Sequence, residues 1–186
     1  MLRELAPRPR ILLAVRALGL LLLTGSASAQ WPQWGGPERD FRAPATDLAD
    51  AWPESGPKKL WERELGPGYS SIVSDGGRLY TLVLSAEEET VVALDAKTGA
   101  TVWEHPLRAV AGNEPPNSTP LLVGDKLFAL GSAGHLCALD KASGKLLWSH
   151  DLLVEYKAKQ AMFGFAASPL AYRDTLIVPV GGKGFG

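Results

Sequence analysis

Beyond about residue 70 the apolar positions come in short alternating runs broken by glycine, aspartate and serine, the pattern of strands and tight turns rather than helices. The clearest stretch predicts four strands, over 118–123, 126–130, 135–139 and 145–150. Val123-Gly124-Asp125 and Gly131-Ser132-Ala133-Gly134 supply the hairpin turns between them, where glycine accepts positive φ without steric cost.

That unit repeats. Ala93-Leu94-Asp95-Ala96-Lys97-Thr98-Gly99-Ala100-Thr101-Val102-Trp103 and Ala138-Leu139-Asp140-Lys141-Ala142-Ser143-Gly144-Lys145-Leu146-Leu147-Trp148 share the template A-x-D-x-x-[ST]-G-x-x-x-W. A second matched segment precedes each one, Ser71 through Tyr80 and Thr119 through Phe128, and a third copy starts at Ser168 and reaches Ile177. Leu79, Leu127 and Leu176 are therefore equivalent. Four strands per repeat predict a propeller blade, and the fold expected is all-β: a β-propeller of four-stranded blades, incomplete, with two full blades and the start of a third.

Within the template each residue type has a structural task. Asp95 and Asp140 can accept hydrogen bonds from the backbone of their own turns, aided by Thr98 and Ser143, while Gly99 and Gly144 return the chain in a left-handed conformation. Trp103 and Trp148, on the strand that follows, are expected to be buried anchors against the neighbouring blade, each worth about 3–5 kcal/mol against truncation. Lys58-Lys59-Leu60-Trp61 resembles Lys145-Leu146-Leu147-Trp148 without the preceding turn, so residues 58–65 read as a lone fourth strand whose blade lies elsewhere. Propellers need about four to eight blades, and the 186 residues are expected to be part of a longer ring.

The template resembles the tryptophan docking motif of the pyrroloquinoline quinone (PQQ)-like propeller family, which includes PQQ-dependent alcohol dehydrogenases and the BamB outer-membrane assembly factor. It matches fully over 138–148 with Ser143 in place of threonine, and departs once in the earlier copy, where Ala100 replaces lysine. Trp31-Pro32-Gln33-Trp34-Gly35-Gly36-Pro37-Glu38-Arg39-Asp40 is similar to the start of PQQ-like propeller proteins abundant in planctomycete-type bacteria. For the enzymes of that family the resemblance implies PQQ in the central funnel, a Ca²⁺ held by carboxylate and amide oxygens, an Asp base and often a disulfide between adjacent cysteines.

Composition narrows the reading further. Residues 1–29 have the layout of a signal peptide: Arg3, Arg8, Arg10 and Arg16, the apolar run Leu18 to Leu23, then Ala27-Ser28-Ala29 before Gln30. The run is well short of the roughly 18 residues a spanning helix needs. The domain plan is thus a signal peptide over 1–29, an N-terminal lead-in over 30–57 and a partial propeller over 58–186. A periplasmic or extracellular location follows, with no membrane span after cleavage. Lysine and arginine total 19 against 20 acidic residues, so no field exists to hold nucleic acid.

Catalytic chemistry is hard to find. Cys137 is the only cysteine, and it reads as a buried spectator. His105, His135 and His150 have no zinc spacing, and no D-x-D-x-D calcium cluster is present. Glu87-Glu88-Glu89 reads as a solvated hairpin tip, and the glycine-rich end, Gly181 to Gly186, as a strand-connecting turn. No catalytic, cofactor-binding or metal residue is assigned and no cofactor is expected. The function expected is a non-catalytic binding or scaffold module of the cell envelope, its partner a protein or an envelope polymer. Two alternatives stand beside it: a portion of a PQQ-dependent dehydrogenase, with PQQ and calcium, and a BamB-like role in outer-membrane assembly.

Overall fold

The computed structural model describes residues 30–43, 49–86, 88–109, 115–158 and 163–180. The expected signal peptide and the Gly181 to Gly186 turn lie outside them. β1 (Val73–Asp75), β2 (Arg78–Ser85), β3 (Glu88–Asp95) and β4 (Thr101–Ala109) form one antiparallel sheet in sequence order. β5 (Leu121–Val123), β6 (Lys126–Leu130), β7 (His135–Asp140) and β8 (Leu146–Asp151) form a second of the same order. A five-residue helix, α1 (Leu152–Tyr156), leads towards β9 (Leu170–Tyr172) and β10 (Thr175–Ile177), a third hairpin. Asp151 caps α1 by accepting from Val154 N–H.

The repeat extends to register. Val73 faces Tyr80, Leu121 faces Phe128 and Leu170 faces Ile177. Both outer strand pairs carry a bulge at the same point: Ala93 pairs Trp103 while Leu94 pairs Thr101, and Ala138 pairs Trp148 while Leu139 pairs Leu146. The unpaired residues are Val102 and Leu147, and a bulge of this kind bends its strand and re-aims the side chains beyond it. Of the strands expected in the second copy, β6 matches; the first is shorter, beginning at Leu121 rather than 118. Pro120 cannot donate to a ladder, and the residues before it are engaged elsewhere, as described below.

The core lies between sheets. Val73, Tyr80, Leu82, Val91, Ala93 and Trp103 of the first sheet interdigitate with Leu122, Leu127, Ala129, Cys137 and Leu139 of the second. The opposite face of the first sheet, Val83, Val92 and Leu94, is covered by Leu65 of the preceding segment. On the far face of the second sheet, Leu130 and Leu136 pack with Leu152 of α1, Phe165 of the segment before β9, Leu176 of β10 and Val178 just after it. The middle strands β2 and β3 of the first sheet are therefore apolar on both faces, as central layers are, and among the described residues the stack is an all-β propeller arc of two whole four-stranded blades and the opening hairpin of a third. The first strands approach one another from blade to blade, β1 with β5 and β5 with β9, which marks them as the inner strands of the wheel. No helix among the described residues is long and apolar enough to cross a membrane.

Candidate functional site

The repeat residues meet as a turn and a clamp. Asp95 Oδ1 accepts from Lys97 N–H, Thr98 N–H and the Thr98 hydroxyl at 3.0, 2.9 and 2.8 Å. Asp140 Oδ1 accepts from Ser143 N–H at 2.8 Å and from its hydroxyl at 2.6 Å. These donors hold both carboxyls below the usual carboxylate range, led by the hydroxyl of Thr98 or Ser143. Gly99 and Gly144 then take φ of 71° and 72°. A Cβ on Gly144 would stand 2.6 Å from the Trp103 ring, and one on Gly99 would stand 2.6 Å from the Trp61 ring, so each indole lies flat on the glycine of the next blade's turn. Trp61 Nε1 donates to Ala96 O at 3.0 Å and Trp103 Nε1 to Lys141 O at 3.1 Å.

Residues 58–65 thus do the work of an outer strand toward the first blade, although they form no regular strand. Two residues past each tryptophan the pattern recurs again: Arg63 donates to Gly99 O at 2.9 Å, and His105 bonds the Gly144 backbone. Burial lowers the His105 pKa against that bond. Among the described residues Trp148 meets no such glycine. It is 36% exposed, and its ring neighbours are Phe128 and His150 of its own blade. His150 in turn bonds Glu155 at 2.8 Å.

A second ladder runs along the inner strands and was not legible in the sequence. Ser71 N–H donates to Thr119 Oγ1 at 3.1 Å, and Thr119 N–H donates to Ser168 Oγ at 3.0 Å. The three residues are equivalent, each offering its hydroxyl or its amide to the neighbouring blade. Their only sequence signal is the same 48- and 49-residue spacing seen for Leu79, Leu127 and Leu176.

Of the expected solvated hairpin tip, Glu87 lies outside the described residues and Glu88 is exposed, but Glu89 is not solvated. Glu88 and Glu89 belong to β3, and Glu89 is 1% exposed. Its Oε2 accepts from Ser132 N–H of the second blade at 2.8 Å and fills the space above Gly131, while Oε1 has no partner among the described residues. Burial pushes its pKa up, opposed by the Ser132 donors. The alternation of β3 explains the error: Glu89 shares the face of Val91 and Ala93, and that face is closed by the next blade.

His105, His135, Cys137 and Ser149 line a cavity of about 270 Å³ on the same seam. Burial pushes the Cys137 thiol up to about 12, which removes it as a nucleophile. No three His, Cys, Asp or Glu side chains among the described residues converge to hold a metal ion.

The remaining candidate surface is the loop over residues 31–41. Gln33 O accepts from Gly36 N–H, and Gly35 O accepts from Phe41 N–H at 2.9 Å, closing a compact double turn. Gly36, at φ 81°, sits under the Trp31 ring, where a Cβ would come within 2.7 Å. The turn holds Trp34 and Phe41 edge to face, centroids 5.0 Å apart, yet 56% and 59% exposed.

Repeated four-stranded sheets, clamped through tryptophan on glycine and joined along their first strands, define a propeller of serially docked blades. The chain belongs to the family described as outer membrane protein assembly factor BamB, whose model matches residues 49–186. It is 27% identical over 129 residues to the quinoprotein alcohol dehydrogenase PedH of Pseudomonas putida, covering 67% of this chain and 20% of that protein. It is 32% identical over 91 residues to the quinoprotein ethanol dehydrogenase of Pseudomonas aeruginosa, covering 47% and 14%. Among solved structures, BamB from Moraxella catarrhalis superposes with a TM-score of 0.47 at 20% identity, over 63% of this chain and 32% of that one. The chain thus spans a fifth or less of the length of the two dehydrogenases it matches.

Proposed function

We propose that this chain is a non-catalytic binding and scaffold module of the cell envelope, periplasmic or extracellular, with a protein or envelope polymer as its partner. The Trp34–Phe41 pair carries the reading: two large rings held rigidly in solvent by a hydrogen-bonded turn. Aromatic side chains anchor interfaces because they bring much contact area with few rotatable bonds. The family description, an assembly factor of the outer membrane, supports a role of the same kind. The carboxylates of the repeat, Asp95 and Asp140, are engaged by their own turns rather than offered to a ligand.

A second reading, a portion of a PQQ-dependent dehydrogenase, draws on the likeness to the two quinoprotein dehydrogenases. One pair of measurements separates them. The full chain is equilibrated with PQQ and Ca²⁺, desalted and scanned in the visible; the scaffold reading expects no retained absorbance. The Trp34→Ser/Phe41→Ser variant should then lose photo-crosslinks to envelope components while keeping its thermal midpoint. Retained PQQ absorbance, or crosslinks indifferent to the double variant, would reverse the assignment.

A further inference from the structure

The loop that carries Trp34 and Phe41 is tied to all three blades, and each time at the same repeat position. Trp31 and Ser74 of β1 exchange two backbone hydrogen bonds of 2.9 Å. Leu122 of β5 donates its N–H to Pro32 O at 2.8 Å. Arg39 Nη2 donates to Ala171 O of β9 at 2.8 Å, its Nε steadied by Gln33 Oε1 at 3.1 Å. Ser74, Leu122 and Ala171 face Leu79, Leu127 and Leu176 in their own sheets, so the three positions are equivalent. The backbone groups used are those that point away from the second strand, along the free inner edge of the first.

A free strand edge is a row of unpaired donors and acceptors, open to pairing with any extended chain. We propose that residues 30–41 are an intramolecular strap that occupies this inner edge on three successive blades, fixing their spacing and denying the edge to another strand. The segment is shaped for that path. It bridges β1 and β5 through Trp31 and Pro32, then reverses through four positive-φ residues, Gly35, Gly36, Arg39 and Phe41, so that Arg39 reaches β9. Gln30 Nε2 adds a bond to Asp75 Oδ1 at 3.0 Å, and Asp75 is itself ion-paired with Lys141 of the second blade, which carries the tie across the seam.

Amide hydrogen exchange on the full chain tests the strap. Gly36→Val drives a side chain into the Trp31 ring and should speed exchange at the Ser74 and Leu122 amides about tenfold, leaving the β3 and β7 amides slow. A synthetic peptide of residues 30–41 should slow Leu122 again in that variant. Arg39→Ala should accelerate exchange across β9 and β10 alone, and Arg39→Lys, which keeps a cationic donor but loses the guanidinium fork, should recover part of the protection. Unchanged Ser74 and Leu122 exchange in Gly36→Val would overturn the proposal. If Gly36→Val also frees β3 and β7, the arginine pair decides: equal exchange of β9 and β10 in wild type and Arg39→Ala overturns it.

Discussion

Tyr80, Ala93 and Trp103 of the first blade occupy the same register positions as Phe128, Ala138 and Trp148 of the second. In the first blade all three are shut away, with the indole pressed on Gly144 and its N–H held by Lys141 O. In the second blade Phe128 is half-buried and Trp148 is 36% exposed, although sequence template, bulge and ring spacing are the same: 5.9 Å for Tyr80–Trp103 and 5.8 Å for Phe128–Trp148. Identical local chemistry gives different burial because a blade cannot cover its own outward face. The glycine turn, the indole acceptor and the bond made two residues past the tryptophan all come from the neighbour, as one-dimensional repeat architectures require.

The largest effect should come from breaking the covered clamp. Trp103→Ala is expected to cost about 3–5 kcal/mol and Trp148→Ala about 1–2 kcal/mol, read as denaturation midpoints of the full chain. Equal shifts would erase the distinction between the blades. Next comes the turn glycine. Gly144→Ala meets both a left-handed φ and the Trp103 ring, and should cost about 2–3 kcal/mol. Gly124→Ala, at φ 57° with open space around it, should cost about 1 kcal/mol. Thermal melts of the two variants compare strain alone with strain plus lost docking.

Much of this was legible because the turn writes itself into the sequence. Asp, Thr or Ser, and Gly at fixed offsets are demanded by one carboxylate binding its own backbone, so the repeat, the four strands and the tryptophan position could be read without coordinates. What could not be read depends on contacts across the seam. Glu89 is buried because Gly131, 42 residues on, lacks a side chain and Ser132 presents an N–H. The Ser71–Thr119–Ser168 ladder uses residues that are common in any turn. The strap has no period at all, and its three contacts become equivalent only when the sheets are aligned. Trp148 shows the same dependence: repetition names its role, and no glycine turn among the described residues meets its ring.

Glu89 sharpens the seam from its acidic side. Its folded pKa lies above the unfolded value, so between the two the native state keeps a proton that the unfolded state has lost. Its contribution is therefore fully present below the unfolded value and falls as pH rises through that window. Glu89→Gln should remove this slope and gain about 1 kcal/mol near neutrality, seen as a flatter stability profile against pH. Asp95 and Asp140 act with the opposite sign: held below their usual range, they favour the fold above the unfolded value, and that contribution is lost as pH falls through the folded one. Asp140→Asn should blunt the acid limb of the denaturation profile by the smallest margin of the set.

The claim that blades are completed by their neighbours is tested most directly by indole N–H exchange in the full chain labelled with ¹⁵N-tryptophan. Trp61 and Trp103, whose Nε1 protons are held by Ala96 O and Lys141 O, should exchange slowly, and Trp148 should exchange at close to the rate of an open indole. Equal protection of all three, or rapid exchange at Trp103, would contradict it.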